Sequence, residues 1–112
     1  MAKYQLTLKA EDDIDNIAEY SVLNFGLAVA RRYLAGLHET FEKITDHPDW
    51  GNDYNHILPG LLRYEYRSHA VYFMIEPDAV HIIRVLGGRQ APKLHIDLGD
   101  YRPSNAVTRS SL

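Results

Sequence analysis

The hydrophobic period changes twice along this chain, and those changes constrain the fold more than any other feature. Over residues 3–8 apolar and polar side chains alternate, with Tyr4, Leu6 and Leu8 on one side and Lys3, Gln5 and Thr7 on the other. A period of two belongs to a half-buried strand. From Ala10 the apolar positions recur every three or four residues, through Ile14, Ile17, Ala18, Ser21 and Phe25, as on the buried stripe of a helix. Glu11, Asp12 and Asp13 stand in what this period makes the first turn, where the helix dipole favours negative charge. Gly26 interrupts the run. A second stripe of Ala30, Tyr33, Leu34, Leu37, Phe41 and Ile44 follows, and His47-Pro48 ends it because proline cannot continue a helix. Two helices joined at one glycine, each with a single apolar stripe, predict an antiparallel hairpin.

After a loop over residues 49–60, rich in Gly, Asn, Asp and Pro, the strand period returns. Leu62, Tyr64 and Tyr66 alternate with Arg63, Glu65 and Arg67; residues 70–75 are continuously apolar or aromatic; Glu76-Pro77-Asp78-Ala79 makes a turn; residues 80–86 form the last strand, stopped by Gly87-Gly88. The order β-α-α-β-β-β predicts an α+β domain in two layers, the helical hairpin packed on one face of a small, mainly antiparallel sheet. The strands are apolar on both faces, Val71, Phe73 and Ile75 against Tyr72 and Met74, so the second face is expected to need a partner. A chain of 112 residues holds one domain. It is placed at residues 1–98, with residues 99–112 as a polar, flexible tail.

There are no cysteines, which rules out disulfides, thiolate metal sites and a cysteine nucleophile. Met1-Ala2-Lys3-Tyr4-Gln5 lacks the apolar core of a signal peptide, and no apolar run nears the ~20 residues of a membrane span, so a cytoplasmic protein without membrane contact is expected. A net charge of −3 argues against direct nucleic-acid binding. The charge is unevenly spread: residues 1–50 hold five Lys/Arg against nine Asp/Glu, whereas residues 61–95 hold five against three. A basic face is therefore open to the second half of the chain. The six histidines (His38, His47, His56, His69, His81 and His95) show no ligand spacing, and no glycine-rich phosphate loop is present, so no metal and no cofactor is expected. Tyr4, Tyr33, Tyr64, Tyr66 and Tyr72 fall on apolar stripes and read as core residues with a hydroxyl at the rim.

The ordered set Leu8-Lys9-Ala10, Asp13-Ile14, Ile17, Tyr20, Phe25-Gly26, Ala30, Tyr33, Leu37, Phe41, Pro48, Gly51, Leu58-Pro59-Gly60-Leu61-Leu62-Arg63, Ser68-His69, Tyr72, Ile82-Ile83-Arg84-Val85-Leu86 and Arg89 resembles the ParE branch of the RelE/ParE toxins. The resemblance spans the chain up to Arg89 and loosens over residues 90–95. It implies the toxin of a type II toxin–antitoxin pair that interferes with DNA gyrase and is held inactive by a cognate, ParD-like antitoxin. It also links the segment after the last strand to toxicity. Residues 87–95 carry Arg89, Lys93 and His95 and no acidic residue, which makes these three the candidate target contacts.

The related RelE branch cuts mRNA on the ribosome, which requires a base, an acid and fixed positive charge on the phosphate. The candidates for a basic sheet face here are Arg63, Arg67, Arg84 and His69, but lysine is absent between Lys43 and Lys93, and Glu65 stands between Arg63 and Arg67 on one strand face. No catalytic residue is expected, and the toxin is read as a binding protein. A ribosome-dependent RNase and a non-toxic interaction module of the same fold are the alternatives.

Overall fold

The computed structural model describes residues 3–97. In chain order they form β1 (Tyr4–Leu6), α1 (Leu8–Phe25), α2 (Leu27–Asp46), a 3-10 turn at Pro48–Trp50, β2 (Asn52–Asp53), β3 (Leu62–Tyr66), β4 (His69–Ile75), β5 (Val80–Gly87) and α3 (Pro92–His95). The sheet runs β1-β5-β4-β3-β2, with β1 parallel to β5 and every other pair antiparallel. This is the expected α+β architecture, with two short additions, β2 and α3, carved from segments that carry no apolar period. Residues 99–112, read from the sequence as a tail, lie outside the described residues.

The first helix starts two residues earlier than the change of period. Thr7 is its N-cap: the hydroxyl accepts from the Ala10 N–H at 3.1 Å and donates to the Ile83 carbonyl at 2.7 Å. One side chain thus closes the helix and pins it to β5. With the start at Leu8, only Glu11 of the three acids serves the first turn. Asp13 is carried a turn further, onto the buried stripe of Ala10, Ile17 and Ser21.

Gly26 ends one helix and starts the next. Its N–H reaches the Val22 carbonyl and its own carbonyl accepts from Ala30, each at 3.0 Å. Its φ of +88° is costly for any residue with a Cβ, which is why the joint is glycine.

The hairpin buries Ala10, Ile17, Leu37, Phe41 and Ile44 against Val71, Phe73, Val80, Ile82 and Val85 on one face of the sheet. The opposite face is not left for a partner. The loop before β3 folds back across it, anchored by the Tyr54 N–H on the Leu61 carbonyl, and Ile96 returns to it from beyond β5. Leu58, Leu61, Ala70, Tyr72, Ile83, Leu86 and Ile96 form this second core. The expectation of an exposed apolar sheet face is corrected: the chain covers that face with its own connecting segments, whose apolar residues Leu58, Leu61 and Ile96 a reading of them as loops leaves out of the core.

Candidate functional site

The site is built where β1 runs out. β1 pairs with β5 only from Val80 to Ile82. Thr7 then occupies the Ile82 carbonyl through its N–H and the Ile83 carbonyl through its hydroxyl. The next edge donor, the Val85 N–H, meets no strand; it donates to Asp13 Oδ2 at 2.9 Å. A buried backbone N–H requires a partner, and here a helix side chain supplies what β1 does not.

Asp13 also takes both forks of Arg84, with Nε at 2.8 Å to Oδ2 and Nη2 at 2.9 Å to Oδ1. The third direction of the guanidinium, Nη1, donates to the His95 carbonyl at 2.6 Å. Both side chains are nearly buried. Arg84 is aimed by a bulge: Tyr72 opposes Arg84 while Phe73 opposes Ile82, which leaves Ile83 as the extra residue on β5. Burying two ions is expensive, and removing one partner of such a pair costs about 3–5 kcal/mol. Asp13 is the residue of this arrangement that reading the sequence as helix-start chemistry misses. Its signal was present: an acid at the head of the i, i+4, i+8 row Asp13, Ile17, Ser21, three residues after Ala10, on the side that must be buried.

The four candidates for a basic sheet face do not converge: Arg63 and Arg84 stand on either side of Tyr72 in the register, but each side chain is committed to a different partner. Arg63 lies across the aromatic pair Tyr54 and Tyr72, donates to the Tyr72 hydroxyl at 3.2 Å and pairs with Glu65 at 2.9 Å. Arg67 does not share that strand face; β3 ends at Tyr66, and Arg67 turns away at φ +53° with its guanidinium near the Tyr66 ring. Arg84 is committed as described. His69 sits on the helix side of the sheet, its Nδ1 2.6 Å from the Tyr33 hydroxyl, which is itself 3.1 Å from Ser68 Oγ. Burial pushes the His69 imidazole below its ordinary pKa, with the Asp13 carboxylate opposing in part. A cavity of about 220 Å³ opens beside it, lined by Asp13, Asn16, Tyr20, His69, Val85 and Gln90. Among the described residues no three His, Asp or Glu side chains gather where they could hold a metal ion.

The segment after β5 is more fixed than its glycines suggest. The Gly88 N–H reaches the Ser68 carbonyl at 3.2 Å, the Gly87 N–H reaches Gln90 Oε1 at 2.8 Å, and the Gln90 N–H returns to the Gly87 carbonyl. Pro92 starts the one-turn α3, the Ile96 N–H closes it on the Pro92 carbonyl, and Ile96 is buried. Between these anchors Arg89 and Lys93 are exposed and His95 is half-buried. Leu94, at 81% exposure, is the most exposed large apolar side chain of the segment.

A second concentration of exposed apolar side chains marks the turn of the helical hairpin: Tyr20, Leu23 (79% exposed), Phe25 and Leu27. Tyr20 and Phe25 pack edge to face with ring centroids 6.2 Å apart. Along the other side of α2 an open groove of about 670 Å³ separates the helix from β3, with Arg32, Lys43 and Arg67 among its walls.

Residues 4–92 match the family model described as the ParE toxin of the type II toxin–antitoxin system parDE. The chain belongs to the ParE toxin family. Within it, the chain is similar to Toxin ParE1 of Caulobacter vibrioides, 32% identical over 96 residues that cover 86% of this chain and 99% of the relative. It is also similar to Toxin ParE3 of the same organism, 26% identical over 89 residues, covering 80% and 89%. Among solved structures, the chromosomal ParDE toxin–antitoxin system from P. aeruginosa contains a chain with the same fold, with a TM-score of 0.68 at 19% identity, covering 78% of this chain and 96% of that one. This ParE-family chain is therefore a toxin of a type II toxin–antitoxin system. The stretch matched by the family model stops at residue 92, inside the segment that carries Arg89, Lys93 and His95.

Proposed function

We propose that this ParE-family toxin acts by binding DNA gyrase rather than by cutting RNA, that residues 87–95 make the contact through Arg89, Lys93 and His95, and that a ParD-like antitoxin neutralises it in the cytoplasm. The observation that carries the non-enzymatic reading is the dispersal of the sheet's cations. Phosphate cleavage needs positive charge and a titratable group converging on one point. Here Arg63 pairs with Glu65, Arg84 with Asp13, and His69 turns its Nδ1 to Tyr33. The gyrase target itself follows from the family resemblance. The exposed basic segment beside a rigid sheet agrees with it, because charge speeds encounter with an acidic partner surface. For the antitoxin, the apolar end of the helical hairpin is the surface of choice: an amphipathic segment laid against Tyr20, Leu23, Phe25 and Leu27 would bury it.

The test is induction in growing cells with DNA and protein synthesis followed separately. The reading expects replication to stop first and the DNA-damage response to follow. Translation stopping first, with mRNA cut in register with codons, would replace it by the RNase reading.

A further inference from the structure

We infer that Asp13 and Arg84 form a clamp whose task is to fix the position of residues 92–97, which makes them positioning residues for the toxin's contact with its target. This rests on the proposal that residues 87–95 make that contact. A helix of four residues has no stability of its own, so α3 exists only through what holds it. Its far end is held by a buried side chain and by a hydrogen bond. Ile96 is buried in the second core, and the last carbonyl of α3, that of His95, accepts from Arg84 Nη1. The guanidinium is in turn aligned by the two-pronged bond to Asp13 of α1. Three segments distant in sequence therefore meet on one planar group.

Packing α1 on the sheet does not explain this arrangement. Apolar side chains would join α1 to β5 without the cost of burying two ions. Capping the Val85 N–H would need only the carboxylate. What arginine adds is a third donor pointing away from Asp13, and that donor is spent on the segment bearing Lys93, Leu94 and His95. Lysine would supply the charge but not the fork. A contact segment held in one place loses less freedom on binding than a loose one, and binds correspondingly tighter.

Arg84→Lys tests the clamp in the full chain, because it keeps a charge opposite Asp13 while giving up either the fork or the His95 carbonyl. The double substitution Asp13→Asn with Arg84→Gln is the second route; it removes both buried charges together, and a glutamine cannot reach both partners. The readout that a merely structural role would not produce is local. Amide exchange at Leu94 and Ile96 should quicken at least about tenfold relative to Phe73 and Ile82 in the centre of the sheet. Trypsin should cut faster at Arg89 and Lys93, toxicity should fall, and affinity for the neighbour-encoded antitoxin should stay within about twofold of the parent, as for a site away from the change. Unchanged exchange at Ile96 in both variants overturns the clamp, and so does a loosened segment in a toxin that kills as before. Arg89→Ala, Lys93→Ala and His95→Ala combined separate the two claims. If this triple variant still kills, the contact segment is wrong and the clamp falls with it. If the triple variant is inert while Arg84→Lys kills with its segment loosened, only the clamp falls.

Discussion

Replacing Gly36 with alanine should change sign with the residue at position 66. Gly36 lies mid-way along α2, where alanine ordinarily stabilises by about 1 kcal/mol. Here an added Cβ would collide with the Tyr66 hydroxyl and stand 2.9 Å from Cζ of its ring. The ring must move away. That breaks the bond from the Tyr66 hydroxyl to the Tyr33 carbonyl at 2.8 Å, worth about 1 kcal/mol. It also disrupts the edge-to-face pairing with the Tyr33 ring at 5.0 Å, worth about another 1 kcal/mol. Together with the apolar area that a displaced Tyr66 re-exposes, Gly36→Ala should destabilise the parent by about 1–2 kcal/mol net, a fall of roughly 4–8 °C in Tm for each kcal/mol. In a Tyr66→Ala background the obstacle is gone, and the same substitution should stabilise by about 1 kcal/mol. Thermal and urea unfolding of the four proteins, followed by circular dichroism, measures the cycle. If Gly36→Ala stabilises the parent as well, the packing of β3 on α2 is not as described.

Three further expectations follow from single contacts. Thr7→Val removes the cap on α1 and the bond to the Ile83 carbonyl together, and should cost about 1–3 kcal/mol in urea unfolding; a loss under about 0.5 would mean the hydroxyl is dispensable. Burial holds the folded-state pKa of His69 below its unfolded value near 6.5, so the unfolded chain takes up the proton first; this group's contribution is complete above about pH 6.5 and declines as pH falls through that value toward the folded pKa. The decline in Tm between pH 7 and 5 should be shallower in His69→Gln, and equal slopes would remove His69 from the account. Leu23→Ser with Phe25→Ser should cost about 1 kcal/mol at most, chiefly the edge contact of Phe25 with Tyr20, but weaken antitoxin binding on the order of tenfold or more, and calorimetric titration showing parent affinity would put the antitoxin elsewhere.

The parts of the fold legible in the sequence are those with a period. The alternation at Tyr4 and Leu6, the stripes through Ser21 and Ile44, the glycine joint and the meander from Leu62 to Leu86 all appear where the residues place them, whereas Phe25, read as the end of the first stripe, stands exposed. What could not be read has a common cause. β2 has two residues and α3 four, too few for any period to register, and the short alternation Leu94, Ile96, Leu98 does not say which of its residues is buried. The second core was invisible because loop residues such as Leu58 and Leu61 bury themselves by chain path rather than by pattern. At the site, charge counting found Arg63, Arg67, Arg84 and His69 but could not tell that a bulge, a turn and two carboxylates separate them. Alternation also misplaced Arg67, since a strand's period says nothing about where the strand stops. Asp13 was misread because helix-start acids and buried acids differ only in which side of the helix they fall on, and that depends on locating Thr7 as the cap.

The most direct measurement of the central claim is DNA supercoiling by purified gyrase with this toxin added at increasing concentration. The account predicts loss of supercoiling, relief when the cognate antitoxin is present, and no effect from the variant lacking Arg89, Lys93 and His95. Supercoiling that stays at its starting rate, in a preparation that cuts mRNA on translating ribosomes, would contradict it.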